Sequence, residues 1–82
     1  MKIFLDAREL AHPEPFTISV GHLQDMGLED YFYMINSLKP LPLINVAENN
    51  GFMTLSHEDK QGTWHILISK NSEHKLQDFL DV

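Results

Sequence analysis

The sequence predicts a small two-layer α/β sandwich with the element order strand, helix, strand, helix, strand, strand. Three observations support this fold class. The 82 residues leave room for one hydrophobic core, because a chain of this size buries only about 60–65% of the surface that its unfolded form exposes. Short β-prone runs alternate with segments whose apolar residues recur at helical spacing. The last two β-prone runs flank a short polar turn, which is typical of a hairpin.

The first part of the chain predicts a strand followed by a helix. Residues Lys2–Ala7 are short, apolar and β-prone, so they predict the first strand. The prolines of the turn Arg8–Pro15 cannot continue a strand but suit the first turn of a helix. The helix carries an apolar stripe at helical spacing, formed by Phe16, Val20 and Leu23. We expect it to end near Gly27, since glycine is common at helix C-termini.

A second strand and a second helix follow. Tyr31–Ile35 is apolar at every position, and a strand with two apolar faces belongs in the centre of a sheet. The segment Lys39–Pro42 breaks the strand and leads into the second helix. That helix should stop at Asn49–Gly51, because Asn and Gly tolerate the left-handed conformation. Both strand–helix–strand crossovers should be right-handed, which places the two helices on one face of the sheet.

The last two strands are predicted to form a hairpin, Phe52–Glu58 and Thr63–Ser69, around the turn Asp59–Gly62. If Asp59 pairs with Gly62, then His57 lies opposite Trp64. That register places six large side chains on one face and His65 on the other. The six are Met53, Leu55, His57, Trp64, Ile66 and Ile68.

We assign residues 1–70 to the domain and residues 71–82 to a tail. In the tail, Leu76, Phe79 and Leu80 form an i, i+3, i+4 stripe, which predicts a short amphipathic helix. If the tail does not cover the second face of the sheet, that face is an apolar patch of the kind that often binds a partner.

Composition and charge exclude several classes of function. Twelve acidic residues outnumber six basic ones and give a net charge of −6. Nucleic-acid binding requires a basic surface, and the basic residues are scattered, so we expect no direct nucleic-acid ligand. The chain has no cysteine, which excludes disulfides, persulfides and thiolate metal ligands. We expect a cytoplasmic protein, because we see no signal peptide and no apolar run near the roughly 18 residues of a membrane span.

Two groups of motifs carry a family resemblance over roughly residues 3–69. Leu5–Leu10 followed by His12–Pro15 (HPEP) resembles the TusA (SirA-like) signature, in which a leucine–aspartate segment precedes a Cys-Pro-x-Pro motif at the start of a helix. His12 stands at the position of the motif cysteine. A second group is similar to the uncharacterised domain-of-unknown-function family 2249 branch: Lys39–Leu43, Asn50–Phe52 and Trp64.

The resemblance implies a mixed four-stranded sheet in the order 1-2-4-3, with the fourth strand antiparallel to the others. For thiol-bearing members it also implies sulfur relay between proteins. That chemistry does not carry over to this chain, because the imidazole of His12 cannot hold a persulfide.

Ligands of open sheets favour the carboxyl ends of parallel strands. Here that edge collects a candidate ligand-binding set: Arg8, His12, Glu14 and Lys39. Two helix N-termini point to the same edge, and such ends attract anions. The structural alternative is that Asp6 pairs with Arg8, that Glu14 complements the helix dipole, and that His12 is an ordinary loop histidine.

Five histidines raise the question of a metal site, but no ligand spacing supports one. We assign no catalytic residue, no metal and no cofactor. The favoured hypothesis is a non-enzymatic module that binds another protein through the His12 edge or the second sheet face, with a homodimer as one form of partner. The alternative is a binder of, or an enzyme for, a small anionic ligand around His12. A residual role in sulfur or metal handling is a third hypothesis.

Overall fold

Four strands form one mixed sheet in the order β1-β2-β4-β3. The computed structural model describes residues 1–82, and its strands are β1 (Lys2–Asp6), β2 (Tyr31–Asn36), β3 (Met53–Glu58) and β4 (Trp64–Ser69). Strand β1 runs parallel to β2, whereas β4 is antiparallel to both β2 and β3. The predicted strand order and the antiparallel fourth strand are confirmed.

The two predicted helices are present as α1 (Glu14–Asp25) and α2 (Leu41–Asn49). Helix α2 stops before Gly51, which has a φ of 82° in the left-handed region that glycine tolerates. Helix α1 ends two residues before Gly27, which does not adopt a left-handed conformation. The amide of Gly27 instead donates to the Asp30 carboxylate at 2.9 Å. No helix is both long and apolar enough to cross a membrane.

Both helices pack on the same face of the sheet, as the right-handed crossovers predict. We call this the helix face. Its core is formed by alternate residues of the two central strands and by the inward side chains of the helices. The fully buried members from the strands are Phe32, Met34, Ile66 and Ile68. These positions alternate along β2 and β4 because successive side chains in a strand point to opposite faces.

The predicted hairpin register is wrong by one residue. His57 pairs with His65, and Glu58 pairs with Trp64. The cause is Gly62, whose φ of 82° introduces an extra residue into the turn. The Asp59 carbonyl accepts the Gly62 amide at 3.1 Å, and the Asp59 amide donates to the Thr63 carbonyl at 2.9 Å. A turn followed by a left-handed glycine forms a bulge of this kind.

A shift of one residue moves every side chain of a strand to the other face. Met53 and Leu55 therefore lie on the face opposite the helices, where Leu55 pairs with Leu67. His57 and His65 lie on that face as well, directly opposite each other. Trp64 remains on the helix face. The six large side chains that the sequence assigned to one face are thus divided between two.

The tail covers this second face. The predicted short helix is present as a 3₁₀ helix at Leu76–Phe79. Leu76 is buried against Tyr33 and Leu67. The rings of Tyr31 and Phe79 stack with centroids 4.1 Å apart and planes 9° apart. The sheet therefore has an apolar cluster on each side, and the second face is covered by the chain itself.

Candidate functional site

A pocket opens at the edge of the sheet where β1 and β2 end and both helices begin. Its volume is about 500 Å³. Twelve residues line it: Leu10, His12, Pro13, Pro15, Phe16, Met34, Asn36, Leu38, Lys39, Pro40, Pro42 and Leu43. The pocket lies at the carboxyl ends of the two parallel strands, where ligands of open sheets favour binding.

All four prolines of the chain line this pocket, two at the start of each helix. Each proline lacks an N–H group, so each helix loses donors in its first turn. The amide of Glu14 is satisfied by the Ala11 carbonyl at 2.9 Å, and that of Leu41 by the Lys39 carbonyl at 3.0 Å. The amides of Phe16 and Leu43 remain without a backbone acceptor. The two helix N-termini therefore offer a small number of donors to an anion.

Of the four predicted site residues, His12 and Lys39 line the pocket. Lys39 Nζ lies 5.3 Å from the centroid of the Trp64 ring, within the range of a cation–π contact. The polar residue Asn36 also lines the pocket, but its side-chain oxygen accepts the Ser37 amide at 3.0 Å. Most of the lining is apolar, and it contains one lysine, Lys39, but no arginine, aspartate or glutamate.

Arg8 and Glu14 are not part of the lining. Arg8 forms a bidentate salt bridge with Asp6. Its Nε donates to Oδ1 at 3.0 Å, and a terminal guanidinium nitrogen donates to Oδ2 at 2.8 Å. The Arg8 amide also donates to the Asp6 carboxylate, at 3.1 Å. Glu14 is exposed in the first turn of α1, where a negative charge complements the helix dipole. The Arg8 guanidinium is therefore paired with Asp6 outside the pocket.

The Arg8–Asp6 pair gives a testable titration. Side-chain and backbone hydrogen bonds from Arg8 lower the pKa of Asp6 from 3.8 to about 2. Because this pKa is depressed, the pair stabilises the fold fully above pH 3.8 and loses its effect as the pH falls toward 2. We expect Arg8→Ala to return the Asp6 pKa toward 3.8 in an NMR titration, and Lys39→Ala to leave it unchanged. If the Asp6 pKa in Arg8→Ala equals that in the wild type, the pairing of Arg8 with Asp6 is contradicted.

The sequence did not reveal a hydrogen-bonded chain on the second face. The Asp81 amide donates to the Tyr33 hydroxyl at 2.9 Å, and that hydroxyl lies 2.7 Å from His65 Nδ1. His65 Nε2 lies 2.9 Å from Asp59 Oδ2. An ionised carboxylate can only accept, so His65 Nε2 carries the proton that faces Asp59, and in that tautomer Nδ1 accepts from the Tyr33 hydroxyl. The hydrogen bond to His65 is the main cause of a lowered Asp59 pKa.

The corrected hairpin register also changes the predicted positions of His57 and His65. In the predicted register His57 and His65 pointed to opposite faces, whereas in the structure their ring centroids are 6.4 Å apart. No group of three or more His, Cys, Asp or Glu side chains is arranged to hold a metal ion. His65 is engaged by Tyr33 and Asp59 on its two nitrogens. Its contacts are those of a histidine that links the hairpin turn to the sheet.

Comparison with known proteins agrees with this architecture. A family model described as an uncharacterised conserved protein (DUF2249) matches residues 4–70. The crystal structure of a SirA-like protein from Desulfitobacterium hafniense superposes with a TM-score of 0.75 at 19% sequence identity. The alignment covers 88% of this chain and 100% of that protein. No curated protein matches the chain. At this identity the structural likeness establishes the fold.

Proposed function

Because this chain belongs to the uncharacterised DUF2249 family and has a SirA-like fold, we propose that it is a non-enzymatic protein-interaction module. Its docking site is the pocket between the N-termini of α1 and α2. The observation that carries this proposal is the character of the pocket, which is mostly apolar and lined by every proline of the chain. With no cysteine, persulfide carriage is excluded.

Exposed leucines at the pocket point to a partner with apolar side chains. Leu38, in the lining, is 75% exposed, and the nearby Leu41 is 55% exposed. Single exposed leucines are common, but exposed leucines beside an apolar cavity resemble the anchor pockets of protein interfaces. A partner that inserts a side chain into the cavity and also covers its rim would remove the exposed surface of both leucines from water. Each fully buried leucine of this kind contributes about 1.5–3 kcal/mol.

The prolines favour binding by limiting the entropy that the site loses. The ring of proline fixes φ, so the walls built from Pro13, Pro15, Pro40 and Pro42 have little backbone freedom. Binding to a preorganised surface costs less conformational entropy than ordering a flexible loop. Lys39 provides a positive charge beside this rigid apolar site. A partner carboxylate next to the inserted apolar group would therefore add specificity.

The docking site is tested by comparing which proteins the wild type and two leucine variants retain from cell extract. Leu38→Asp places a charge in the pocket lining, whereas Leu28→Asp places the same charge at a leucine that is 61% exposed and outside the lining. We expect the wild type and Leu28→Asp to retain the same proteins from cell extract. We expect Leu38→Asp to bind them at least about tenfold more weakly, which corresponds to about 1.4 kcal/mol. Equal retention by all three proteins would refute the docking site.

The second candidate function is the binding of a small anion. His12, Lys39 and the amides of Phe16 and Leu43 are the groups at the pocket that favour it. Thermal unfolding in inorganic phosphate or acetate separates the two functions. A rise in melting temperature that disappears in Lys39→Ala would favour the anion site. No rise, together with the loss of partner binding in Leu38→Asp, would favour the protein-docking site.

A further inference from the structure

The second face of the sheet carries a continuous apolar surface that faces away from the helices and the pocket. Its members come from three strands and are Tyr31, Tyr33, Ile35, Met53, Leu55 and Leu67. In the structure the tail lies on this surface. The helix face has a larger core of its own, so the sheet does not depend on the tail for its main packing.

The tail contacts the second face in the manner of a bound peptide. Its apolar stripe provides Leu76, which is buried, and Phe79, which stacks on Tyr31 at 4.1 Å. Its backbone provides one donor, the Asp81 amide, which binds the Tyr33 hydroxyl at 2.9 Å. Its carboxylate at Asp81 accepts a hydrogen bond from Lys2 Nζ at 2.9 Å. The same contact raises the pKa of Lys2.

The contacts divide the tail into residues 71–74, which bond to neighbouring segments, and residues 75–82, which pack on the second face. Ser69 Oγ lies 2.7 Å from His74 Nδ1, and the Asn71 side-chain amide donates to the Leu28 carbonyl at 2.9 Å. These bonds fix the chain up to His74. Beyond it, residues 75–82 form a four-residue 3₁₀ helix, add no strand to the sheet and end in an exposed ion pair. Short 3₁₀ helices and exposed ion pairs contribute little stability.

We propose that the second face is a peptide-binding surface and that residues 75–82 occupy it as an internal ligand. The external partner is a protein segment of the same chemistry. It carries a leucine and an aromatic side chain about one helical turn apart, followed by a carboxylate that binds Lys2. Two observations support this choice of partner: the charge complementarity at Lys2 and the aromatic stack on Tyr31. The tail also lies outside the residues that the family model matches, which end at residue 70.

The test uses the full chain and a fluorescent peptide with the sequence of residues 71–82. The double variant Phe79→Ala, Leu80→Ala weakens the internal ligand without changing the second face. The exposed neighbour Gln77→Ala is the matched control. We expect the peptide to bind the double variant at least about tenfold more tightly than the wild type or Gln77→Ala, because the intact tail competes at a high effective concentration. Equal binding to all three proteins, or no binding to the double variant, would overturn the proposal.

The chemistry of the partner is tested in the same assay. A peptide with Asp81→Ala should bind the double variant more weakly, and adding Lys2→Ala to the protein should weaken the original peptide to a similar degree. If both changes leave binding unaltered, the carboxylate is not recognised and the stated partner chemistry is wrong. A peptide with the same composition in scrambled order should not bind, and tight binding of the scrambled peptide would count against a specific surface.

Hydrogen exchange on the wild type tests the proposal even if the double variant fails to fold. The amides of Asp78, Leu80 and Asp81 are hydrogen-bonded through the tail and to Tyr33. A detachable tail opens locally, so these amides should exchange at least about a hundredfold faster than the amides of β2 and β4. Exchange of the tail and of the central strands at the same rate, through global unfolding, would overturn the proposal.

Discussion

Replacing Phe32 by alanine should lower the free energy of unfolding by about 3–5 kcal/mol. Phe32 lies in the central strand β2 and is fully buried against the helices. Its removal loses apolar burial and leaves a cavity that packed neighbours fill only in part. A domain of this size has a total stability of about 4–12 kcal/mol. The substitution should therefore remove a large share of the stability, measured by urea unfolding followed by far-UV circular dichroism.

Phe4→Ala is the matched control for this prediction. Phe4 lies in the edge strand β1 and is 53% exposed. Its truncation removes the same atoms from a site that is already partly in water, so we expect a loss of roughly 1 kcal/mol or less. Similar losses for Phe4→Ala and Phe32→Ala would show that the helix face does not hold the dominant core. Such a result would contradict the packing described above.

The central position of β2 could be predicted because a strand that is buried on both faces is apolar at every position of its sequence. Every residue from Tyr31 to Ile35 is apolar, and the structure places an apolar cluster on each side of this strand. The helix stop at Asn49–Gly51 was equally clear, because a left-handed residue is needed there. These features depend on short stretches of sequence and on general backbone geometry.

The hairpin register could not be obtained in the same way. A four-residue turn and a turn with a bulged glycine have the same sequence signals, since glycine suits both. Gly62 adopts the bulged form, and Asp59 stabilises it by accepting the amides of Gln61 and Thr63. The alternation of apolar residues did not decide between the two, because β4 is almost entirely buried on both faces. The error placed His57 on the helix face, whereas it lies on the second face opposite His65.

The location of the candidate site was predictable, but its character was not. The ends of parallel strands and the starts of crossover helices must meet at one edge, so the sequence placed His12 and Lys39 there correctly. Local pairing then changed the chemistry. Arg8 is held by Asp6, and the prolines remove helix donors, so the edge is more apolar than the charges in the sequence imply. Side-chain pairing depends on backbone geometry that a linear pattern does not contain.

Replacing Tyr33 by phenylalanine should lower the free energy of unfolding by about 1–2 kcal/mol, because the buried His65 imidazole loses its hydrogen-bond partner. The Tyr33 hydroxyl accepts the Asp81 amide and lies within hydrogen-bond distance of His65 Nδ1. Tyr33 is 1% exposed, so water cannot easily replace the hydroxyl on the imidazole. The ring of the substitute keeps the apolar contacts with Leu67 and Leu76. The loss therefore reports the hydrogen bonds rather than the packing.

Tyr31→Phe distinguishes this effect from the general removal of a hydroxyl. Tyr31 packs on the same face and stacks on Phe79 through its ring, which phenylalanine retains, so its loss should stay within about 0.5 kcal/mol. Urea unfolding gives both free energies, and NMR follows the Asp81 amide. In Tyr33→Phe that amide should exchange faster, while the amides of β4 should stay protected, because the hydroxyl joins the tail to the hairpin through His65 and Asp59. Equal stability of the two variants, with an unchanged Asp81 amide, would mean that this hydroxyl does not hold the tail in place.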